Sequence, residues 1–252
     1  MTEIGSKLNV PIVDDRQFSR NFLASVVCEL RFPTILELER ESPLALRKAL
    51  KSSYPIYEKS KSVSLEPNRA TVSEVDMKHN FVSRDRDWKV LLGSSSIALE
   101  TTNYQNFANF LKKFKAVIWE AKDLLDTDFY TRVGLRYVNT IPIDDEDANN
   151  VVGWVNDRLV GAFADGIFGD AISFNTEITG FSTIGGFTIR HGIGRKKRKD
   201  LGFNSYFLDF DHYLENVDAG DLVKLLEAFH KVNFSLFYWC LGPKSKEKLE
   251  AS

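Results

Sequence analysis

The sequence predicts an α+β protein made of two tandem β-α-βββ-α units, each an antiparallel sheet packed under a long amphipathic helix. Two observations predict this fold class. The order of strand and helix patterns occurs once in each half of the 252-residue chain. Two long amphipathic helices, at 103–125 and 218–238, fall at corresponding points of the halves. We therefore expect domains at 1–128 and 129–242, arranged as a saddle-like duplication, and a charged tail at 243–252.

The first half begins with a strand at 25–32, because apolar and polar residues alternate there and place one apolar row on one face. A helix follows from the capping residue Ser42 and ends before Pro55. Strand patterns separated by polar turns fill 60–101. The helix at 103–125 is the clearest one, because its apolar residues recur at three- and four-residue spacing.

The second half repeats this order with a strand at 131–143 and an amphipathic helix over 152–163. Three further strand patterns follow, at 171–179, 185–193 and 204–213. The last helix is capped by Asp218. The tail is rich in charge, so we expect it to be frayed.

Composition describes an ordinary globular protein, with 43% apolar and 27% charged residues and a net charge of −2. It excludes a disordered chain, a disulfide scaffold and a polycation that binds nucleic acid over its whole surface. The 19 phenylalanines, against 8 tyrosines and 4 tryptophans, predict a core built from aromatic rings.

The N-terminal residues lack the apolar segment of a signal peptide, and no apolar run is long enough to span a membrane. We therefore expect a cytoplasmic protein. Cys28 and Cys240 both lie in apolar runs, which favours buried reduced thiols. A disulfide and a catalytic thiol remain open alternatives.

The most concentrated charge lies between two strand patterns, which predicts the tip of a hairpin. The candidate polyanion-binding residues there are Arg190, His191, Arg195, Lys196, Lys197, Arg198 and Lys199. Each cation that neutralises a phosphate releases counterions, so such a cluster can add salt-sensitive affinity for nucleic acid. Three interpretations stay open: a solvated loop, contact with a phosphate backbone, and contact with the acidic surface of a partner protein.

A second candidate site is a set of carboxylates. Asp209 and Asp211 are two residues apart on one strand and hence on one face, and Glu177 on a neighbouring strand can join them. Such carboxylates can hold Mg²⁺ for phosphodiester cleavage. Arg132 and Arg136 also share one strand face, and cross-strand arginine–aspartate pairs account for the same residues without a metal.

The other motifs give weaker indications of function. The four histidines follow no zinc-ligand spacing, and the sequence has no nucleotide-binding or hydrolase motif, so we expect no cofactor. The glycine-rich stretch 180–187 lacks the lysine and following helix of a phosphate loop, which favours a β-turn. The acidic run 144–147 favours a solvated turn over a cation site. His230 lies on the last predicted helix beside its apolar face, which favours a hydrogen-bonded, partly buried histidine over a catalytic base.

Five short segments resemble the signatures of one family, at 22–32, 88–104, 132–139, 208–211 and 229–234. It is the sporadically distributed family of uncharacterised prokaryotic proteins. The resemblance implies no activity. Its patchy distribution implies a place in mobile, stress or defence-linked gene neighbourhoods, such as a toxin–antitoxin assembly.

The sequence therefore favours a non-enzymatic binding module that uses a sheet face and the 190–199 loop to hold a protein partner, a second copy or nucleic acid. The alternative is a metal-dependent nuclease or phosphoryl-processing enzyme that uses Asp209, Asp211 and Glu177.

Overall fold

The computed structural model describes residues 8–16, 18, 20–64, 73–143, 151–161, 167, 173–194 and 204–250, with the backbone alone at 61–64, 73–76, 194 and 204. The strands are β1 Leu23–Arg31, β2 Ile56–Ser64, β3 Ser73–Val82, β4 Trp88–Leu92, β5 Ser96–Thr101, β6 Phe129–Ile143, β7 Ser173–Ser182, β8 Gly185–Gly194 and β9 Asn204–Asp218. The helices are α1 Glu37–Arg40, α2 Leu44–Leu50, α3 Phe107–Leu125, α4 Leu222–Cys240 and α5 Pro243–Glu250, with 3₁₀ turns at Asp157–Leu159 and Ala219–Asp221.

The described strands form one nine-stranded sheet in the order β2-β3-β4-β5-β1-β6-β9-β8-β7. Neighbours run antiparallel, as in the β1–β5, β3–β4 and β8–β9 pairs. The predicted fold class of two β-α-βββ-α units, each with its own sheet, is therefore wrong. The opening strands of the two predicted halves, β1 and β6, are neighbours in this order. An exposed strand edge leaves backbone N–H and C=O groups unpaired. Two separate sheets would have four such edges, and one continuous sheet has two.

The helix predicted over 152–163 is wrong for residues 152–160, which are not α-helical and hold a 3₁₀ turn at Asp157–Leu159, whereas Gly161 is helical. Gly153 has a φ of +79°, which interrupts a helical path. Val155 makes a β-bridge with Leu241, and the amide N–H of Asn156 donates to the Cys240 carbonyl oxygen at 2.8 Å. These pairings with the end of α4 outweigh the apolar periodicity of the segment.

The chain divides into two compact units of discontinuous segments. One unit contains 25–134 and 214–223. Its core includes the predicted apolar row of β1, because Val26, Cys28 and Leu30 are fully buried. The helix α3 buries a face of six residues, namely Phe107, Phe110, Phe114, Val117, Ala121 and Leu125.

The N-terminus of α3 is capped by Asn106, whose side-chain oxygen accepts from the backbone N–H of Asn109 at 2.8 Å. We expect Asn106→Ala to lower the free energy of unfolding by about 1 kcal/mol, since it leaves that N–H without its acceptor. Chemical denaturation measures the change. Asn106→Asp keeps the acceptor and is the matched control, so equal losses in both variants would contradict the capping role.

The other unit contains 1–24, 135–213 and 224–252. Tyr206, Leu208 and Phe210 of β9 point into its core, where they cluster with Leu236 and Cys240 of α4. Among the described buried residues of this cluster, Phe22, Trp154, Tyr206 and Phe210 are aromatic, whereas isoleucine, valine and leucine are more numerous, so this core is only partly built from aromatic rings. None of the described helices, α4 included, is long and apolar enough to cross a membrane.

The charged tail is helical over Pro243–Glu250 rather than frayed. Leu249 is completely buried in the core cluster of its unit. The Ser245 hydroxyl donates to the Trp154 carbonyl oxygen at 2.6 Å. The buried Leu249, the Ser245 hydrogen bond and a bond from the Lys244 amide N–H to the Gly153 carbonyl oxygen at 2.9 Å together anchor a helix whose other residues are mostly charged.

Candidate functional site

The basic segment connects two neighbouring strands. The β8 and β9 strands are antiparallel and pair as far as Gly194 and Ser205. Residues 195–203 lie outside the described residues. Five of the candidate cations fall on them, namely Arg195, Lys196, Lys197, Arg198 and Lys199. Their polyanion-binding role therefore stays a prediction, and the described strands establish only which elements the segment joins.

The structure buries His191, which the sequence grouped with these cations. Its side chain lies on the core face of β8 and is 3% exposed. Its Nδ1 is 2.7 Å from the Tyr206 hydroxyl, and its ring stacks on that tyrosine. Burial lowers the pKa of His191, so a neutral ring is favoured. The structure thus gives His191 a packing position and does not bring it to the surface beside the loop.

Arg190 occupies the opposite face of β8, within a row of alternating charges that crosses four strands. Its Nε is 2.5 Å from Glu177 Oε2 on β7, and its Nη1 is 3.5 Å from Asp209 Oδ2 on β9. Arg136 on β6 then binds Asp209 through two hydrogen bonds of 2.7 Å. We call Glu177, Arg190, Asp209 and Arg136 the charge row. It joins residues that the sequence assigned to two different candidate sites.

The strand register explains this row. Glu177 lies opposite Arg190 in the β7–β8 pair, and Arg190 lies opposite Asp209 in the β8–β9 pair. Directly opposite residues share a sheet face, so opposite charges meet there. The Asp209 side chain is only 6% exposed, whereas Arg136 and Arg190 are 47% and 39% exposed. The row is thus anchored on a nearly buried carboxylate beneath two partly solvated guanidinium groups.

The carboxylate site has an arginine where a metal would be needed. The guanidinium group of Arg190 lies between the carboxylates of Glu177 and Asp209. Asp211 follows Asp209 on the same face of β9, opposite Thr188. Within the described ranges, no group of three or more histidine, cysteine or acidic side chains is arranged to hold a metal ion. The geometry therefore matches the arginine–aspartate interpretation, and its chemistry is ion pairing.

Arg132 lies on the same strand as Arg136 but has a different partner. Its Nη1 is 3.5 Å from Glu29 Oε1 on β1. The guanidinium group passes over Gly134, where a Cβ atom would lie only 2.7 Å from Nη1. A glycine between the two arginines therefore leaves room for this path. The sequence pattern predicted the shared face but not the separate partners.

The sequence did not reveal a hydrogen-bonded chain that runs from the buried Tyr137 through His230 to the exposed Asp15. His230 Nδ1 is 2.9 Å from the Tyr137 hydroxyl, and its Nε2 is 2.9 Å from Asp15 Oδ2. Since a carboxylate accepts, Nε2 donates to Asp15 and the tyrosine hydroxyl donates to Nδ1. Burial lowers the pKa of His230, and the Asp15 hydrogen bond opposes that shift. No local signal links residues 215 positions apart.

The chain's N-terminal segment is held on α4 around this histidine. The Val13 amide N–H donates to the Ser235 hydroxyl at 3.1 Å, and the Phe18 ring stacks on Phe234 with centroids 6.2 Å apart. His230 is thus a buried residue with both ring nitrogens bonded. That placement matches the interpretation of a satisfied residue rather than a base exposed to substrate.

Both cysteines are free and buried, which confirms the prediction of reduced thiols. Burial raises the pKa of Cys240 to about 12 and raises the pKa of Cys28 well above its ordinary value. The thiolate is the reactive form of cysteine, so neither residue has the properties of a nucleophile at neutral pH.

No protein-family model matches the chain, and no curated protein matches it. The resemblance to a sporadically distributed prokaryotic family therefore stays a prediction.

Proposed function

We propose that the protein is a non-enzymatic binding module that holds the phosphate backbone of a nucleic acid at the connection between β8 and β9. The observation that carries the proposal is the strand pairing to Gly194 and Ser205, which places the ends of the basic segment side by side. Five consecutive cations, at 195–199, belong to that connection. A short cationic connection between rigid strands is suited to phosphate contact without base recognition.

The charge row supports a binding role over a hydrolytic one. The nearly buried carboxylate of Asp209 already accepts hydrogen bonds from Arg136 and lies beside Arg190. A carboxylate engaged by two guanidinium groups is a poor ligand for Mg²⁺, which needs free oxygen ligands. A place in a defence or toxin–antitoxin assembly stays a prediction from the family resemblance.

Replacing all five cations at 195–199 with glutamine is expected to weaken nucleic-acid binding and its salt dependence. If three of them contact phosphates, the intact protein should lose about 40-fold in affinity between ~50 and ~200 mM salt, and the variant should lose far less. Fluorescence anisotropy with single- and double-stranded DNA and RNA measures both effects.

The control variant carries the same change of charge at five exposed lysines outside the segment, namely Lys51, Lys112, Lys115, Lys224 and Lys231. Binding that is unchanged in the 195–199 variant, or lost equally in the control, would overturn the proposed function. If the intact protein binds an acidic protein but no nucleic acid, and the 195–199 variant loses that binding, the partner-protein interpretation is favoured instead.

A further inference from the structure

The strand β7 forms one end of the sheet, so one of its edges has no strand partner among the described residues. It is ten residues long and contains neither lysine, arginine nor proline. Its single ionisable residue is Glu177, whose carboxylate is bound by Arg190. Long edge strands template pairing with another chain unless charge, proline or short length protects them. By these criteria β7 is an unprotected edge.

The strand at the other end of the sheet, β2, has the charged residues that β7 lacks. It carries three charged residues, Glu58, Lys59 and Lys61, within its nine positions. Charged side chains of this kind discourage edge-to-edge pairing. On β7, by contrast, Ile178 is 46% exposed and Phe181 is 62% exposed. Among the residues whose side chains are described, the β7 end of the sheet thus combines an unpaired strand edge with exposed apolar side chains.

The hairpin fixes which backbone groups of β7 are free. Ser182 and Gly185 close a two-residue turn between β7 and β8. In such a turn the first residue accepts from the N–H of the fourth, so Ser182 directs its backbone groups toward β8. Because the direction alternates along a strand, the even-numbered residues bond β8. The odd-numbered residues 173–181 then direct their N–H and C=O groups away from the sheet.

We propose that β7 pairs antiparallel with β7 of a second copy of this chain, with Ile178 on the two-fold axis. A register centred on Glu177 would place two carboxylates directly opposite each other, which is unfavourable. A register centred on Thr176 pairs only residues 173–179. The register centred on Ile178 pairs 174–182, nearly the whole strand of ten residues.

This register satisfies both the backbone and the side chains. Glu177 lies opposite Thr179 of the second copy, and Asn175 lies opposite Phe181. All four are odd-numbered, so their outward backbone N–H and C=O groups face one another and can form hydrogen bonds. Together these pairs make about eight backbone hydrogen bonds. The two exposed Ile178 side chains meet at the axis and bury each other. Since the pairing uses β7 and not the 195–199 segment, it does not rest on the proposed nucleic-acid binding.

Cysteine cross-linking tests the register on the full chain. At the axis, Ile178 forms a non-hydrogen-bonded pair with Cα atoms about 4.5 Å apart, which a disulfide can bridge. Ile178→Cys should therefore form a disulfide-linked dimer under mild oxidation. Thr176→Cys should not, because Thr176 lies opposite Gly180 of the second copy. The native Cys28 and Cys240 are buried and do not interfere. Equal cross-linking of both variants would overturn the register.

The oligomeric state tests the interface itself. Sedimentation of the unmodified chain should show a dimer, and Ile178→Lys and Thr179→Pro should each give a monomer. Proline at 179 removes an outward N–H and leaves the bonds to β8 in place. Leu36→Lys changes a residue that is 67% exposed elsewhere and should stay dimeric. Circular dichroism confirms folding in every variant. A monomeric unmodified chain, or a dimer unaffected by both β7 variants, would overturn the proposal.

Discussion

Lowering the pH from about 7 to about 4.5 is expected to remove about 2.5 kcal/mol of folding free energy through His212 alone. His212 is completely buried on the core face of β9. Burial lowers its pKa to about 4, although a hydrogen bond with Asn233 partly opposes the shift. The unfolded chain has the ordinary histidine pKa of about 6.5.

The direction of the effect follows from proton binding. Between the folded pKa of about 4 and the unfolded pKa of about 6.5, the unfolded state binds more protons than the folded state. Stability therefore falls as the pH falls through this window and stops falling, as far as His212 is concerned, below the folded pKa. Burial also lowers the pKa of His191 and of His230, so both act in the same direction.

The hydrogen bonds around His212 explain why the charged form is excluded. Asn233 Nδ2 donates to the Leu135 carbonyl oxygen at 3.3 Å, which leaves its Oδ1 to accept from His212 Nδ1 at 2.7 Å. His212 Nε2 is buried and has no hydrogen-bond partner among the described residues. The rings of Phe187 and Phe229 lie about 6 Å away. A proton on Nε2 would place a charge there without an acceptor.

Urea denaturation at several pH values, compared with His212→Gln, measures the effect. Glutamine keeps a donor for Asn233 and does not titrate, whereas the carboxylates titrate equally in both proteins. The variant should lose about 2.5 kcal/mol less than the unmodified chain over the same interval. Nitrogen NMR of the histidine rings should show His212 neutral at about pH 5. If the stability of the two proteins fell equally with pH, or if the His212 ring were charged at about pH 5, the lowered pKa assigned to His212 would be contradicted.

Local pattern was sufficient for the elements whose packing follows from their own residues. The apolar row of β1 is buried as predicted, because alternation alone determines which side chains share a face. The helix predicted over 103–125 is confirmed over Phe107–Leu125, with Asn106 as its N-cap and residues 103–105 outside the helix. The predictions for residues 152–160 and for the charged tail were wrong for the opposite reason. Partners distant in sequence, at 239–241 and at Trp154, decide their conformation.

The candidate site shows the same division. Alternation placed Asp209 and an arginine of β6 on sheet faces where they can pair, and Arg136 does bind Asp209. Sequence grouped Arg190 with the basic loop, yet the register places it between Glu177 and Asp209. The same alternation sends the next residue, His191, into the core. Register depends on strand pairing across the sheet, which one sequence does not specify.

Arg136→Met is expected to lower the free energy of unfolding by about 2 kcal/mol, because it leaves the nearly buried Asp209 carboxylate without its two shortest hydrogen bonds. The loss is smaller than for a fully buried pair, since Arg136 is 47% exposed and Arg190 stays 3.5 Å from the carboxylate. Methionine keeps most of the aliphatic length of arginine, so packing on the sheet face changes little. Chemical denaturation measures the change.

The control is Arg31→Met, which breaks an ion pair of 2.6 Å with Glu29. Arg31 is 54% exposed and Glu29 31% exposed, so water replaces much of the interaction and the loss should be below about 1 kcal/mol. The double variant Arg136→Met with Asp209→Leu removes both charges, and it should recover part of the loss that Arg136→Met causes alone. Because the cost comes from an unpaired buried carboxylate, additive losses in the double variant would contradict the role assigned to Asp209.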